Sequence, residues 1–104
     1  SGIGIKNGAS PNLTTNVIEN NGENGLLIYA NGAGRYEGNR LSNNTLSGIE
    51  VWDAQPESIR NNVFSGNRRD GIHVRGNNAV ARIGKNQLNA GQAIHKAGGR
   101  IIDL

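Results

Sequence analysis

Gly2, Gly25, Gly48 and Gly71 stand 23 residues apart, and each opens the same short phrase. The phrases are Gly2-Ile3-Gly4-Ile5, Gly25-Leu26-Leu27-Ile28, Gly48-Ile49-Glu50-Val51 and Gly71-Ile72-His73-Val74. A fifth, Ala93-Ile94-His95, arrives one residue early. A fixed period of this length marks a stack of similar supersecondary units, none of which can bury its apolar face alone.

Other columns keep the same phase. Eleven residues after each glycine come Leu13, Tyr36 and Ile59, with Ile83 displaced by one. Fourteen residues after it come Asn16, Asn39 and Asn62, then the displaced Asn86. Two residues further lie Ile18, Leu41, Phe64 and Leu88, and more asparagines follow at Asn21, Asn44 and Asn67. Within a unit the apolar period is two: Ile49 and Val51 face one way, Glu50 and Trp52 the other. Asn-Gly, Asn-Asn, Gly-Asn and Ser-Gly pairs separate these runs and favour turns. The 16 glycines and frequent asparagines disfavour long helices. The sequence therefore predicts an all-β parallel solenoid with three short strands per coil and about 4.5 coils. Coils start near residues 2, 25, 48, 71 and 93 of one domain spanning 1–104. Stacking brings equivalent side chains to about the 4.8 Å strand spacing, and the column Asn16, Asn39, Asn62, Asn86 is expected to form an amide ladder.

The pattern Gly-Ile-x-Val, a Pro- or Ser-rich turn, then Ile-x-x-Asn-x-(Ile/Leu/Phe)-x-x-Asn resembles the right-handed parallel β-helix repeats of the pectin-lyase-like superfamily. It is similar to repeats of F-box β-helix proteins, of the copper-site maturation protein of nitrous oxide reductase and of alginate epimerases. The resemblance runs from Gly2 to about Ile94 and implies a right-handed coil. It rests on structural columns, and a fold of this kind hosts lyases, epimerases, hydrolases and binders without chemistry.

The ends are expected to differ from the middle, because an open coil exposes unpaired backbone. Gly98-Gly99-Arg100-Ile101-Ile102-Asp103-Leu104 breaks the repeat and is expected to lie across the final coil as a cap, over about 97–104. The chain opens inside a repeat and without Met, as a piece of a longer solenoid would, and the first coil is expected either to continue into further coils or to pack against another chain end to end. There is no cysteine and no stretch apolar and long enough for a membrane-spanning helix. The net charge of +3 is modest and scattered, unlike the footprint of a nucleic-acid binder. No membrane or nucleic-acid partner is expected, and the absence of cysteine fits a periplasmic or secreted protein.

Chemistry is expected on the outward positions of the first strand. The second residue after each glycine reads Gly4, Leu27, Glu50, His73, His95, and the fourth reads Lys6, Tyr29, Trp52, Arg75. Tyr29 and Trp52 form an aromatic platform ringed by Glu50, His73, Arg75 and Lys6, suited to a sugar ring or a peptide. The plainer alternative is cross-strand pairing of aromatics and charges, with Glu50 in a surface ion pair. A catalytic version uses His73 as base, Arg75 or Lys6 as cation for a uronate carboxylate and Tyr29 as acid. Glu50 and Asp53 are a possible paired-carboxylate site, though their spacing points them apart. His73 and His95 share a column and are candidate metal ligands, with Glu50 the only third ligand in view; no resident metal or cofactor is expected. The acidic calcium cluster of pectate lyases, the Asp-Pro-His-Glu motif of alginate epimerases and the Gly-Gly-x-Gly-x-Asp calcium repeat are all missing. These features lead to a scaffold that binds carbohydrate or protein without its own chemistry. The alternatives are part of a uronate lyase or C5-epimerase, or a spacer.

Overall fold

Each repeat contributes three short strands, and like strands of successive repeats pair in parallel. The computed structural model describes all 104 residues. The first sheet stacks β1 (Ile3–Ile5), β4 (Leu26–Tyr29), β7 (Ile49–Trp52), β10 (Ile72–Arg75) and β13 (Ile94–Ala97). The second stacks β2 (Asn12–Thr14), β5 (Arg35–Glu37), β8 (Ser58–Arg60), β11 (Val80–Gly84) and β14 (Arg100–Asp103). The third stacks β3 (Val17–Glu19), β6 (Arg40–Ser42), β9 (Val63–Ser65) and β12 (Gln87–Leu88). There is no helix. The architecture is the parallel β-solenoid read from the period, with about 23 residues per turn.

Register follows the repeat. Leu26, Ile49 and Ile72 are Cα partners, as are Ile28, Val51 and Val74, and Tyr36 pairs Ile59, which pairs Ile83. All of these side chains are buried in one continuous core with Leu41 and Phe64. Tyr36 is the polar exception. Its hydroxyl donates to the Ala33 carbonyl, and burial pushes its pKa up.

The opening glycines are required by space rather than by backbone twist. Gly25, Gly48 and Gly71 have ordinary φ, but a Cβ on Gly25 would lie 2.7 Å from the Gly48 carbonyl oxygen, and one on Gly48 would lie 2.9 Å from that of Gly71. A Cβ at Gly48 would also meet the Phe64 ring at 2.7 Å. Gly48→Ala is expected to wedge neighbouring coils apart and cost roughly 1–3 kcal/mol. A urea midpoint equal to that of the parent chain would contradict this reading.

Two amide ladders run along the coil. In the expected one, Nδ2 of Asn16 donates to Oδ1 of Asn39 (3.2 Å), Asn39 to Asn62 (3.1 Å) and Asn62 to Asn86 (3.0 Å). Each Oδ1 also accepts the backbone N–H of the preceding asparagine, and Nδ2 of Asn39, Asn62 and Asn86 reaches a carbonyl one coil back. The second ladder links Asn21, Asn44 and Asn67 in the same way and ends on Gln92, whose Oε1 accepts from Asn67 (2.7 Å). The shortened last repeat leaves no asparagine in this place, and the longer glutamine spans the gap.

The C-terminal segment departs from expectation. Gly98 and Gly99, both at positive φ, turn the chain tightly beside Gly76. Arg100–Asp103 then pairs in register with Val80–Ile83 as a fifth rung of the second sheet, where Ile101 packs on the core, rather than crossing the coil.

Candidate functional site

The outer face of the first sheet gathers the candidate residues because parallel pairing transmits the repeat directly. Leu27, Glu50, His73 and His95 are successive Cα partners, and so are Tyr29, Trp52 and Arg75. Lys6 follows β1 at the matching place and is exposed.

Glu50 anchors this face. It is 3 % exposed, although its position in the strand points outward. Arg69 closes over it through Nη2 to Oε1 (2.9 Å), Arg75 donates from Nε to Oε2, and Asn24 Nδ2 donates to Oε1 (2.9 Å). Burial alone would raise the carboxyl pKa. The hydrogen bonds from Arg69, Asn24 and Arg75, with the charge of Arg75, outweigh it and hold the group below the usual glutamate value. The surface ion pair of the sequence reading is therefore a buried carboxylate under two arginines. Both of its oxygens accept hydrogen bonds from these neighbours. Asp53 is also engaged, its Oδ1 accepting the Asn78 N–H at 3.1 Å.

The aromatic pair is splayed. The Arg75 guanidinium, held by Glu50, lies over the Trp52 ring with its carbon 4.0 Å from the centroid. Tyr29 leans the other way, its ring edge 3.7 Å from where a Cβ of Gly4 would stand. Gly4 leaves this flank of the ring open, and a side chain larger than a methyl there would press on it. Between the two rings, Tyr29, Ala30, Trp52 and Asp53 line an open slot of about 180 Å³. Trp52 is 40 % exposed, so the slot presents an aromatic wall to solvent.

The histidines come together as their shared column implies. Their rings stack with centroids 5.0 Å apart and planes 22° from parallel. The residue beside them that the sequence reading missed is Asp70, whose Oδ2 lies 3.2 Å from His73 Nδ1. One donor atom each from Asp70, His73 and His95 fall within 4.8 Å of one another. The available signal was positional. Residues immediately before the opening glycines, Asn24, Ser47 and Asp70, all turn polar groups toward this face: Asn24 to Glu50, Ser47 to Arg69 and Asp70 to His73.

No curated protein and no solved structure matches the chain. Residues 1–102 match the family described as right handed beta helix region, and with the period, the three parallel sheets and the amide ladders this places the chain in the right-handed β-helix family.

Proposed function

We propose that this β-helix is a carbohydrate-binding scaffold, with one sugar ring entering the slot between Tyr29 and Trp52. The observation that carries the reading is the separation of the two rings, each drawn to its outer neighbour, which leaves an aromatic-walled space in a chain with only 4 % aromatics. Apolar faces of a sugar stack on such rings while polar groups at the edge take its hydroxyls. Asp53 lines the slot and offers a carboxylate as acceptor, and Lys6, one position past Ile5 on the neighbouring coil, offers a donor. The arrangement favours binding over chemistry, because Glu50 and Arg75 are committed to each other and Asp53 is held by the next coil.

Trp52, the sole tryptophan, reports on its own site. Titration with neutral and uronate oligosaccharides is expected to change its emission saturably. Tyr29→Ala is expected to weaken that binding about tenfold, the equivalent of roughly 1.4 kcal/mol. Gly4→Val, at an exposed strand position with ordinary φ, is expected to push Tyr29 into the slot and weaken binding with little loss of stability. A saturable response that survives both substitutions, or no response to any glycan, refutes the proposal.

A further inference from the structure

We propose that Asp70, His73 and His95 form a zinc site that fastens the last coil to the one before it. The proposal stands apart from the sugar slot, since it shares no residue with it.

The donor chemistry is a carboxylate and two imidazoles, the set that Zn²⁺ takes in sites with three protein ligands and one open position. The spacing is informative. Zn–N and Zn–O bonds of about 2.0–2.1 Å in tetrahedral array put two ligand atoms about 3.3–3.4 Å apart, and Asp70 Oδ2 to His73 Nδ1 is 3.2 Å. One edge of the tetrahedron is thus in place as a hydrogen bond that a metal ion would replace. One ligand atom from each of the three residues falls within 4.8 Å of the others, and His95, which completes the triangle, is on an exposed strand.

The two histidines reach this position through register. His73 and His95 are Cα partners, and their rings already stack at 5.0 Å, so the one-residue shortening of the last repeat does not separate them. Asp70 enters from the turn before β10, three residues from His73, with 14 % of its side chain exposed. The nearest competing cation is Arg69, whose Nε is 3.9 Å from Asp70 Oδ2, while its Nη2 is committed to Glu50. The ion would connect β13, whose four residues are all exposed, to the better-buried β10. A ligand held only by the native state stabilises it by mass action, so zinc would resist fraying of the terminal rung.

The test uses the intact chain and zinc chloride. Calorimetric titration is expected to show one saturable zinc per chain. Asp70→Asn and His95→Ala are each expected to lower the affinity by at least the roughly 10–100-fold that even indirect metal partners carry. His95 is exposed, so His95→Ala should fold normally, and its unchanged circular dichroism spectrum would make a loss of binding interpretable. Zinc is also expected to raise the thermal midpoint of the parent chain but not that of His95→Ala. Absence of a saturable one-to-one site overturns the proposal, as does parental affinity in either variant or an equal zinc-induced shift in His95→Ala. The sugar-slot reading is unaffected by any of these results, because its readout is Trp52.

Discussion

Asn62→Ala is expected to cost the chain about 3–4 kcal/mol of stability. The Asn62 side chain is fully buried and makes four hydrogen bonds. Its Oδ1 accepts from the backbone and side-chain nitrogens of Asn39, and its Nδ2 donates to the Tyr36 carbonyl and to Asn86 Oδ1. Alanine leaves the Asn39 N–H without its partner in the interior and removes one donor each from the Tyr36 carbonyl and Asn86 Oδ1. A buried orphan of this kind costs about 1–3 kcal/mol, and the other lost bonds and the vacated volume add to that. A total of about 3–4 kcal/mol is a large share of the roughly 5–15 kcal/mol that holds a domain together. Asn62→Asp should be at least as damaging, because it keeps the shape but loses both donors and buries a charge. At the exposed end of the same ladder, Asn16→Ala removes only one side-chain donation and should cost about 1 kcal/mol or less. Urea unfolding of the three variants checks the set. Equal losses for Asn16→Ala and Asn62→Ala would mean that the ladder does not bear on stability through its buried bonds.

The second large effect centres on Glu50. Removing both arginines, Arg69→Ala with Arg75→Ala, takes away both charged partners of Glu50 and part of its cover, leaving Asn24 as its remaining protein partner. Leaving a charge buried and unpaired costs about 3–5 kcal/mol, and the expected loss lies below that ceiling because the missing guanidiniums also admit water to Glu50. Glu50→Gln is expected to be milder, because each arginine is more than a third exposed and can turn to water. The carboxylate also gives the fold an acid limit. Its folded-state pKa lies below the unfolded value, so the unfolded chain takes up the proton more readily. The stabilisation is complete above an ordinary glutamate pKa of about 4.3 and is lost as the pH falls through the lower folded-state value. Since Glu50 holds Arg75 over Trp52, the indole emission should change in that acid window. The step should vanish in Glu50→Gln. An identical acid transition in parent and variant would assign it to another group.

The fold was legible because every structural column repeats. Glycine spacing gave the coil, the period of two gave the inward faces of Ile49, Val51 and Ile72, and the Asn16 column gave one ladder. What was hidden depended on single residues reaching across columns. Glu50 looked solvent-facing because strand alternation specifies direction and not cover; its cover comes from Arg69 in a turn and Arg75 on the next rung. Asp70 escaped notice because turn side chains have no fixed alternation. Gln92 was invisible as the end of the second ladder because it lies out of phase and substitutes length for position. The candidate site was thus half readable. The residues sharing the face followed from register, while the gap between Tyr29 and Trp52 depends on what each ring leans upon.

The amide ladders also constrain how the molecule is made. Side-chain bonds along the first ladder join residues 23 or 24 apart, and those to carbonyls join residues 26 or 27 apart. A single turn emerging from a ribosome therefore has no partner for these groups until a second has been synthesised. Nucleation needs two turns, and each later turn anneals onto an edge that already exists, closing a loop of nearly constant length. Assembly is expected to be vectorial, with one slow event followed by a series of similar additions.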